Sequence, residues 1–329
     1  GVPTVPSRWL LRLDTVLQAV GLDGAIGPDD LPHAAELIDR AQGYRPLPPP
    51  EPRPPLSARP RKLSVTHIEI WLRDPYAIYA RHILGLRPLE ELDADPGRAE
   101  LGTVIHQTLD TFYRRFPQAM PVNAEEELLA IGRQQFGPVL SRPGAWAFWW
   151  PRFTRIARWL VDQERVRRLG ITESLSECEG SLTLNGRSEP FTITAKADRI
   201  DRLAEGGFLL VDYKTGSVPP VKQVQTGFAP QLPLEGAILR GGGFKGVNGS
   251  PAALEYWRLS GGEPAGERCQ IGAGDPASLI DRVVARVEAL INRFDDPATP
   301  YLAVPSPLWA PRYSDYRHLE RLAESEAEE

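Results

Sequence analysis

The residues best suited to catalysis stand on two adjacent segments in the second half of the chain. Asp212 and Lys214 lie two residues apart in FLLVDYK, whose alternating pattern predicts a β-strand. Residues two apart on a strand project to one face, about 6.6 Å apart along it. Asp198 lies near the end of the preceding predicted strand, FTITAKADRI. Pairing of these two segments as a hairpin would bring both carboxylates together.

Two carboxylates that meet at a sheet edge predict a bound cation, because they repel each other when nothing positive lies between them. Hard oxygen ligands favour Mg²⁺. Such an ion lowers the pKa of a bound water and stabilises charge on a phosphodiester during hydrolysis. Lys214 could then orient or deprotonate the attacking water, or balance the charge of the scissile phosphate. The main-chain carbonyl of Tyr213 could supply a further metal ligand.

Two simpler interpretations of this pattern stay open. A D-x-K tripeptide is also typical of a solvated strand face on which charges alternate. The carboxylates could instead hold a structural ion, which would stabilise the fold against heat without any cleavage.

Three polar residues elsewhere could join the same site. His106 and Asp110 form an i, i+4 pair beside the apolar stripe of a predicted helix, so both could face the carboxylates. The alternative is an ordinary pair on a helix surface. Gln231 lies in the first turn of a helix that Pro230 begins, where it could face the site or act as a solvated cap.

Hydrophobic periodicity predicts the elements that must position these residues. It predicts helices over 102–116, 229–240 and 279–294, and strands over 191–200, 207–216 and 252–259. Residues 205–207, Glu-Gly-Gly, suit the turn between the first two strands. The fold class expected from these elements is α/β, with a mixed central sheet flanked by helices.

The first half of the chain is predicted to be helical. Thr66 and Glu69 have the spacing of a capping box, which starts a helix that Pro75 breaks or restarts. Residues 124–169 are predicted to be helical with interruptions at Pro138, Pro143 and Pro151.

Composition divides the chain into three parts. Residues 1–44 are predicted to form short helices over 8–43, with too few apolar residues for a core of their own. Residues 45–62 are rich in proline and arginine and predict an extended linker, with a PxxP ligand as the alternative. Residues 63–329 form the main predicted domain, with a tail from about 300.

Bulk properties exclude several classes of protein. The 329 residues contain two cysteines, far apart, so four cysteine ligands for zinc or an iron–sulfur cluster are not present within this chain. The net charge of −5 gives no general attraction to nucleic acid, so DNA contacts must be local or come from a partner. The sequence has no P-loop, no membrane-spanning run and no secretory signal, which favours the cytoplasm.

Four segments, in order, resemble the motifs of RecB-like PD-(D/E)XK nucleases: GTVIHQTLDTF, AKADRID, LLVDYKTG and PQLPLEG. The resemblance covers roughly 63–295 and implies a restriction-endonuclease-like fold and a metal-dependent deoxyribonuclease. By this resemblance the metal ligands are His106, Asp198 and Asp212. Lys214 is the catalytic lysine, and Gln231 is an active-site or DNA-facing residue. The supporting residues are Asp201, Tyr213 and Thr215. Asp110 stands where this family usually has Glu, and Glu235 where it often has Tyr.

At lower specificity, both ends resemble the nuclease region of AddB-type subunits of AddAB helicase–nucleases. Asp74 stands where cluster-bearing relatives have their first cysteine, so the form without an iron–sulfur cluster is expected. This resemblance implies Mg²⁺, replaceable by Mn²⁺, an AddA-like helicase–nuclease partner and one DNA strand from a duplex unwound for double-strand break repair. Residues 1–44 would then end a helicase-like domain, and the chain would be a fragment. A non-catalytic scaffolding subunit and a stand-alone RecB-like exonuclease are the alternatives.

Two further segments carry weaker signals. Trp146, Phe148, Trp149 and Trp150 could form a base-stacking platform, although packing in a core is the favoured interpretation. The segment GGGFKGVNGS, residues 241–250, could surround a phosphate, although a connection between a helix and a strand is the default.

Overall fold

Six strands form one mixed sheet in the computed structural model of the chain. They are β1 (Lys62–Ser64), β2 (Ile171–Asn185), β3 (Pro190–Leu203), β4 (Phe208–Lys214), β5 (Pro251–Arg258) and β6 (Glu267–Ile271). The strand order is β1-β3-β4-β5-β6, and β2 pairs with β3 outside this path. The β1–β3 and β4–β5 pairs are parallel and the others antiparallel, so the predicted mixed α/β sheet is confirmed.

The structure describes residues 5–22, 30–39, 48–89, 97–140, 143–272, 274–311 and 313–322. It comprises two units, one of residues 49–322 and one of residues 1–48 together with 323–329. In the smaller unit, α1 (Arg8–Ala19) and α2 (Asp30–Asp39) lie within the range predicted to be helical. Apolar side chains of α1, among them Trp9 and Val16, are exposed.

The larger unit has helices on both faces of the sheet. They are α3 (Val65–Arg73), α4 (Pro75–Ile78), α5 (Arg98–Arg115), α6 (Ala124–Leu140), α7 (Pro143–Arg167), α8 (Val221–Gln225), α9 (Gln231–Arg240), α10 (Pro276–Phe294) and α11 (Arg317–Glu320). One core joins β3 and β4 to α3, α9 and α10, and a second joins β4 and β5 to α5, α6 and α7. None of the described helices is long and apolar enough to cross a membrane.

The hairpin predicted from the alternating segments is present. β3 pairs antiparallel with β4 from Arg199 opposite Val211 to Arg202 opposite Phe208. Gly206 and Gly207 in the turn have φ values of 98° and 78°, a region that glycine adopts without strain. The edge of β3 that pairs with β4 also pairs with β1 at 192–194, because β2 occupies the opposite edge along its whole length. Residues 195–198 therefore lie where β1 and β4 diverge.

Three details of the sequence-based prediction are wrong. The helix predicted to start with a capping box is α3, and its N-cap is Ser64, whose Oγ accepts a hydrogen bond from the His67 amide. Glu69 instead pairs with Arg73, 3.0 Å away. Helix α6 runs through Pro138 and α7 through Pro151, so Pro143 alone marks a helix start. Burial of apolar side chains along α7 outweighs the hydrogen bond lost at a proline.

Part of the predicted linker is held against the sheet domain by one arginine. Arg59 is 4% exposed, and its guanidinium donates hydrogen bonds to the carbonyls of Pro54, Phe294 and Asp296. These contacts join the extended segment to the end of α10, where helical carbonyls lack partners of their own. The predicted boundaries at 44 and 62 stay predictions, while β1 already begins at Lys62.

The C-terminal segment returns to the start of α4. Asp74 caps this helix by accepting a hydrogen bond from the Ala77 amide at 3.3 Å, and it is fully buried. Glu320 of α11 is 1% exposed and lies close enough to the Asp74 carboxyl to act on its pKa. Burial, with Glu320 adding to the effect, raises the pKa of Asp74 to about 7. Two buried carboxyl groups therefore hold this segment in place.

Candidate active site

Asp198 occupies the point where three elements meet. Its Oδ2 accepts a hydrogen bond from the main-chain amide of Tyr213 on β4, with 2.7 Å between the heavy atoms. Its Oδ1 lies 3.2 Å from Nδ1 of His106 on α5. Asp198 lies in the stretch of β3 that pairs with neither β1 nor β4. Its carboxylate can therefore reach both the main chain of β4 and His106 on α5.

His106 faces the carboxylate because the opposite side of α5 is buried. Ile105, Leu109 and Phe112 of this helix are each at most 1% exposed and belong to the second core. Burial lowers the pKa of His106, but the hydrogen bond and charge of Asp198 outweigh it, so the net pKa is raised. The Asp198 carboxylate therefore stabilises the protonated form of the imidazole.

Asp212, Lys214 and Gln231 form a second group of contacts beside Asp198. Gln231 Nε2 donates to Asp212 Oδ1 at 2.5 Å, and Gln231 Oε1 accepts from Lys214 Nζ at 3.0 Å. Lys214 Nζ also lies 2.6 Å from Asp212 Oδ2. The glutamine at the start of α9 thus holds the strand carboxylate and the strand ammonium together.

Burial raises the pKa of two acidic groups in the site, because the nearby positive charge does not offset it. Asp212 is 1% exposed, and burial together with the nearby Asp198 carboxylate raises its pKa to about 6 against the opposing effect of Lys214. Glu235 on α9 is also 1% exposed, and burial, with Asp212 and Asp198 adding to it, raises its pKa well above the usual range. Its Oε2 has no hydrogen-bond partner among the described residues. The site therefore contains more buried acid than the protein itself neutralises.

Glu177 on β2 is a member of the site that the sequence did not reveal. Ligand atoms of His106, Glu177 and Asp198 all lie within 4.8 Å of one another. Glu177 has φ of 51°, an uncommon conformation for a residue other than glycine, and pairs with Lys196 of β3. Its strand was not predicted, because the sequence ITESLSECEGSLTLN lacks a clear apolar face.

This donor set fits a divalent cation. Oxygen ligands lie about 2.0–2.6 Å from Mg²⁺ or Ca²⁺, so donors around one ion stand within roughly 5 Å of each other. The imidazole and two carboxylates of His106, Glu177 and Asp198 meet that condition. The buried Asp212, whose pKa of about 6 leaves it ionised above that pH, adds to the negative potential that would attract a cation.

Asp110 and Thr215 take other positions. The i, i+4 spacing allowed Asp110 to face the same site as His106, but its contacts in the structure are with other residues. Its Oδ1 contacts Arg114 Nε at 2.7 Å and accepts from Ser176 Oγ at 2.6 Å, one residue before Glu177. Thr215 lies against α5, where a Cβ at Gly102 would stand 3.0 Å from its Oγ1.

Asp201 belongs to a buried charge network behind the site. The guanidinium of Arg199 contacts Asp201 Oδ1 at 2.6 Å, Glu164 Oε1 at 2.7 Å and the Tyr113 hydroxyl at 2.6 Å. Arg199 and both carboxylates are fully buried. The two arginines that flank Glu164, Arg199 and Arg168, outweigh its burial and lower the pKa of its carboxyl. This network fixes β3 directly beyond Asp198.

The aromatic segment 146–150 and the glycine-rich segment 241–250 both contain residues that pack against the protein core. Trp149 and Trp150 lie partly buried against the second core, as favoured, whereas Phe148 is 72% exposed. The side chain of Trp146 lies outside the described residues. Residues 241–250 connect α9 to β5, and Phe244 in this segment is buried beside Gly180 of β2.

A family model for the PD-(D/E)XK nuclease superfamily matches residues 62–308. That range covers most of the chain and contains every residue of the site, so the chain belongs to this superfamily. The mixed sheet with flanking helices agrees with a restriction-endonuclease-like fold.

Curated relatives occur in Rickettsia and are named only as uncharacterised proteins. A protein of Rickettsia felis is 29% identical over 239 residues, 70% of this chain and 28% of its own length. Proteins of Rickettsia bellii and Rickettsia conorii are 29% and 30% identical over 56% and 57% of this chain, and 22% and 23% of their own length. The chain thus spans about a quarter of the relatives it matches. Among solved structures, SSO0001 covers 78% of this chain and 84% of its own at 13% identity, with a TM-score of 0.32.

Proposed function

We propose that this chain is a Mg²⁺-dependent DNA nuclease that hydrolyses phosphodiester bonds. The observation that supports this most is the convergence of His106, Glu177 and Asp198 beside the contacts among Asp212, Lys214 and Gln231. Mn²⁺ would substitute, because it accepts the same oxygen and imidazole ligands. Membership of a nuclease superfamily supports the class of reaction.

His106, Asp198, Asp212 and the Tyr213 carbonyl are the metal ligands in this proposal, with Glu177 as an addition from the structure. When bound, the cation supplies an acidic water and charge stabilisation at the phosphate. Asp198 is already oriented for this role by the Tyr213 amide, which holds one of its two oxygens. Lys196 lies more than half exposed beside Glu177, so it can leave that carboxylate when a cation arrives.

Lys214 acts in this proposal as a cation and not as a base. Burial lowers its pKa, but the Asp212 carboxylate outweighs that effect and the net pKa is raised, so the amine is protonated near neutral pH. An ammonium group can hold the attacking water and offset charge on the phosphate as the water oxygen bonds to phosphorus and the P–O ester bond breaks. Gln231 fixes this ammonium by accepting its hydrogen bond.

We also propose a setting for the activity, which rests on the resemblance to AddB-type subunits. The chain would trim one strand of an unwound duplex in the cytoplasm, together with an AddA-like helicase–nuclease, during double-strand break repair. Asp74 at the position of the first cluster cysteine supports the form without an iron–sulfur cluster.

A cleavage assay on single-stranded DNA tests the proposal. With Mg²⁺ or Mn²⁺, the wild type should release short products, while Asp212→Ala and Lys214→Ala should each lower kcat by about 10²–10³-fold or more. Asp281→Ala is the matched control, because Asp281 is 65% exposed on α10 and pairs only with Arg240 in the described chain. It should cut like the wild type.

Other outcomes would replace the proposal. Equal cutting by the wild type and both site variants would trace the activity to a contaminant and leave a scaffolding role. A rise in Tm with Mg²⁺ but no cleavage at any concentration would point to a structural ion. Native mass measurement with an AddA-like subunit would separate a complex from a stand-alone exonuclease.

A further inference from the structure

A groove of about 1030 Å³ begins directly beside the site. Ile105, the neighbour of His106, and Thr215, the neighbour of Lys214, both line it. Other parts of its wall come from the middle of α7, from Arg258 at the end of β5 and from the residues up to 264 that follow it. A molecule in this groove would therefore be continuous with whatever occupies the site.

Two arginines from different elements face this groove. Arg152 of α7 is exposed, and its guanidinium takes part in no ion pair or hydrogen bond within the described parts of the chain. Arg258 of β5 is 47% exposed and lies 3.5 Å from Glu267. The hydroxyls of Thr215, Ser217 and Ser260 line the same groove. Guanidinium and hydroxyl groups are the usual partners of phosphate oxygens.

The negative charge of the chain and of the site makes the two arginines of the groove important for binding a polyanion. The chain carries a net charge of −5, and the site next to the groove holds several carboxylates, so both repel a polyanion. A bound strand then needs local cations close to the scissile phosphate. Arg152 is such a cation, whereas Arg258 is partly neutralised by Glu267, and Glu263 also lines the groove.

We propose that this groove binds the sugar–phosphate backbone of single-stranded DNA adjacent to the scissile phosphate. Arg152 is the main phosphate contact, Arg258 is the second, and Glu267 limits the affinity by competing for Arg258. This inference rests on the proposed nuclease function and assigns the surface that holds its substrate.

The test is a binding titration of fluorescein-labelled (dT)₁₂ in EDTA, which prevents cleavage, read by fluorescence anisotropy across a range of salt concentrations. Each phosphate contact on a single strand contributes about 0.7 to the slope of log K against log salt. Arg152→Ala should lower that slope by about 0.7 and weaken binding about fivefold at 0.1 M salt. Arg152→Lys, which keeps the charge, should restore most of the affinity.

Two further variants make the test specific. Glu267→Gln should tighten binding by about two- to threefold, because Arg258 loses its competing partner. Arg165→Ala removes an arginine of the same helix that is 63% exposed and does not line the groove. Its affinity should equal that of the wild type.

The inference is overturned if Arg152→Ala, folded as judged by its melting curve, binds (dT)₁₂ with the wild-type affinity and slope. It is also overturned if a blunt duplex of the same length binds as tightly as the single strand with the same dependence on Arg152. Failure of the proposed function gives a different result, since the wild type would then not cut DNA with Mg²⁺ whatever the binding data show.

Discussion

Two clusters of buried charge draw on neighbouring residues of β3 and β4, since Arg199 lies opposite Val211 and next to it stands Asp212, and the clusters are built differently. In the balanced cluster, the Arg199 guanidinium contacts Glu164 and Asp201, and all three side chains are fully buried. In the acid cluster, Lys214 is the cation in contact with Asp212, while Glu235 has an unpaired oxygen.

The pKa values record this difference. In the balanced cluster, Arg199 and Arg168 outweigh burial and lower the pKa of Glu164. In the acid cluster, burial raises the pKa of Asp212 to about 6 and raises that of Glu235 well above its usual range. A balanced buried network stabilises one arrangement of the chain, whereas an unbalanced one creates a demand for a cation. On β3, Arg199 thus stabilises the fold, whereas its neighbour Asp198 belongs to the site.

Breaking the balanced cluster should have the largest effect on stability. Arg199→Met leaves Glu164 and Asp201 buried without their shared cation, and such a loss costs about 3–5 kcal/mol. Urea unfolding at pH 7.5 would measure it. Arg165→Met, at a position 63% exposed, should change the free energy of unfolding by less than about 0.5 kcal/mol.

A double variant sharpens this test. Once Arg199 is gone, Glu164→Gln should cost less than it does in the wild type, because the uncompensated charge is removed at the same time. Equal effects of Arg199→Met and Arg165→Met would show that the network contributes little to the fold.

Relieving the acid cluster should do the opposite. The folded pKa of Asp212, about 6, lies above its usual value of 3.8, so its ionisation costs stability as pH rises through that interval. Asp212→Asn should therefore stabilise the metal-free protein at pH 7.5 by about 1–3 kcal/mol, and the gain should vanish below pH 4. Urea unfolding in EDTA at the two pH values measures this.

Glu235→Gln should show a gain of the same sign, because burial also raises the pKa of Glu235 and its carboxyl therefore loses stability as pH rises. Asp281→Asn, at a position 65% exposed, is the matched control and should show no such gain. Added Mg²⁺ should raise the Tm of the wild type more than that of Asp212→Asn, because a ligand has been removed. A destabilised Asp212→Asn in EDTA would contradict the account.

The Asp74 and Glu320 pair offers a smaller effect outside the active site. The folded pKa of Asp74, about 7, exceeds its usual value of 3.8, so the stability it contributes is present below about pH 4 and lost as pH rises through 7. Asp74→Asn should remove this loss, making the variant more stable than the wild type at pH 8 by about 1–2 kcal/mol or more, with a clearly smaller gain at pH 5. Thermal melts at both pH values test it.

Asp295 provides a control of opposite sign. Its carboxylate pairs with Arg61 at 2.5 Å, and that contact outweighs burial and lowers its pKa. Its stabilisation is present above pH 4 and lost on acidification, so Asp295→Asn should destabilise the protein at both pH 5 and pH 8. If Asp74→Asn behaved in the same way, the carboxyl pair would not carry the pH dependence.

The sequence predicted the hairpin that carries Asp198, Asp212 and Lys214, because a hairpin depends on local geometry. Alternation over 191–200 and 207–216 gives two strands and their faces, and a short turn leaves little freedom in how they pair. The positions of Asp198, Asp212 and Lys214 follow directly. The bounds of α9 were also close, since Pro230 marks its start, whereas α10 begins at Pro276, three residues before the predicted start.

Prediction failed where distant segments decide the structure. Strand β2 is half exposed along much of its length, so it lacks the apolar alternation by which strands are found. Glu177 enters the site through a backbone conformation with φ of 51°, and nothing in its sequence neighbours requires it. Helix α7 continues through Pro151 because the second core holds it, which no local rule foresees.

What the sequence by itself determined is the set of reactive groups and the strands that carry most of them, because residue type and alternation are local properties. Only the tertiary structure decided which acids are paired. Arg199 and Arg168 offset the charges of Glu164 and Asp201, while Asp212 and Glu235 are buried without enough positive charge beside them. That division depends on burial and on distances between segments far apart in the chain, and it is what separates a structural ion pair from a site that attracts a metal ion.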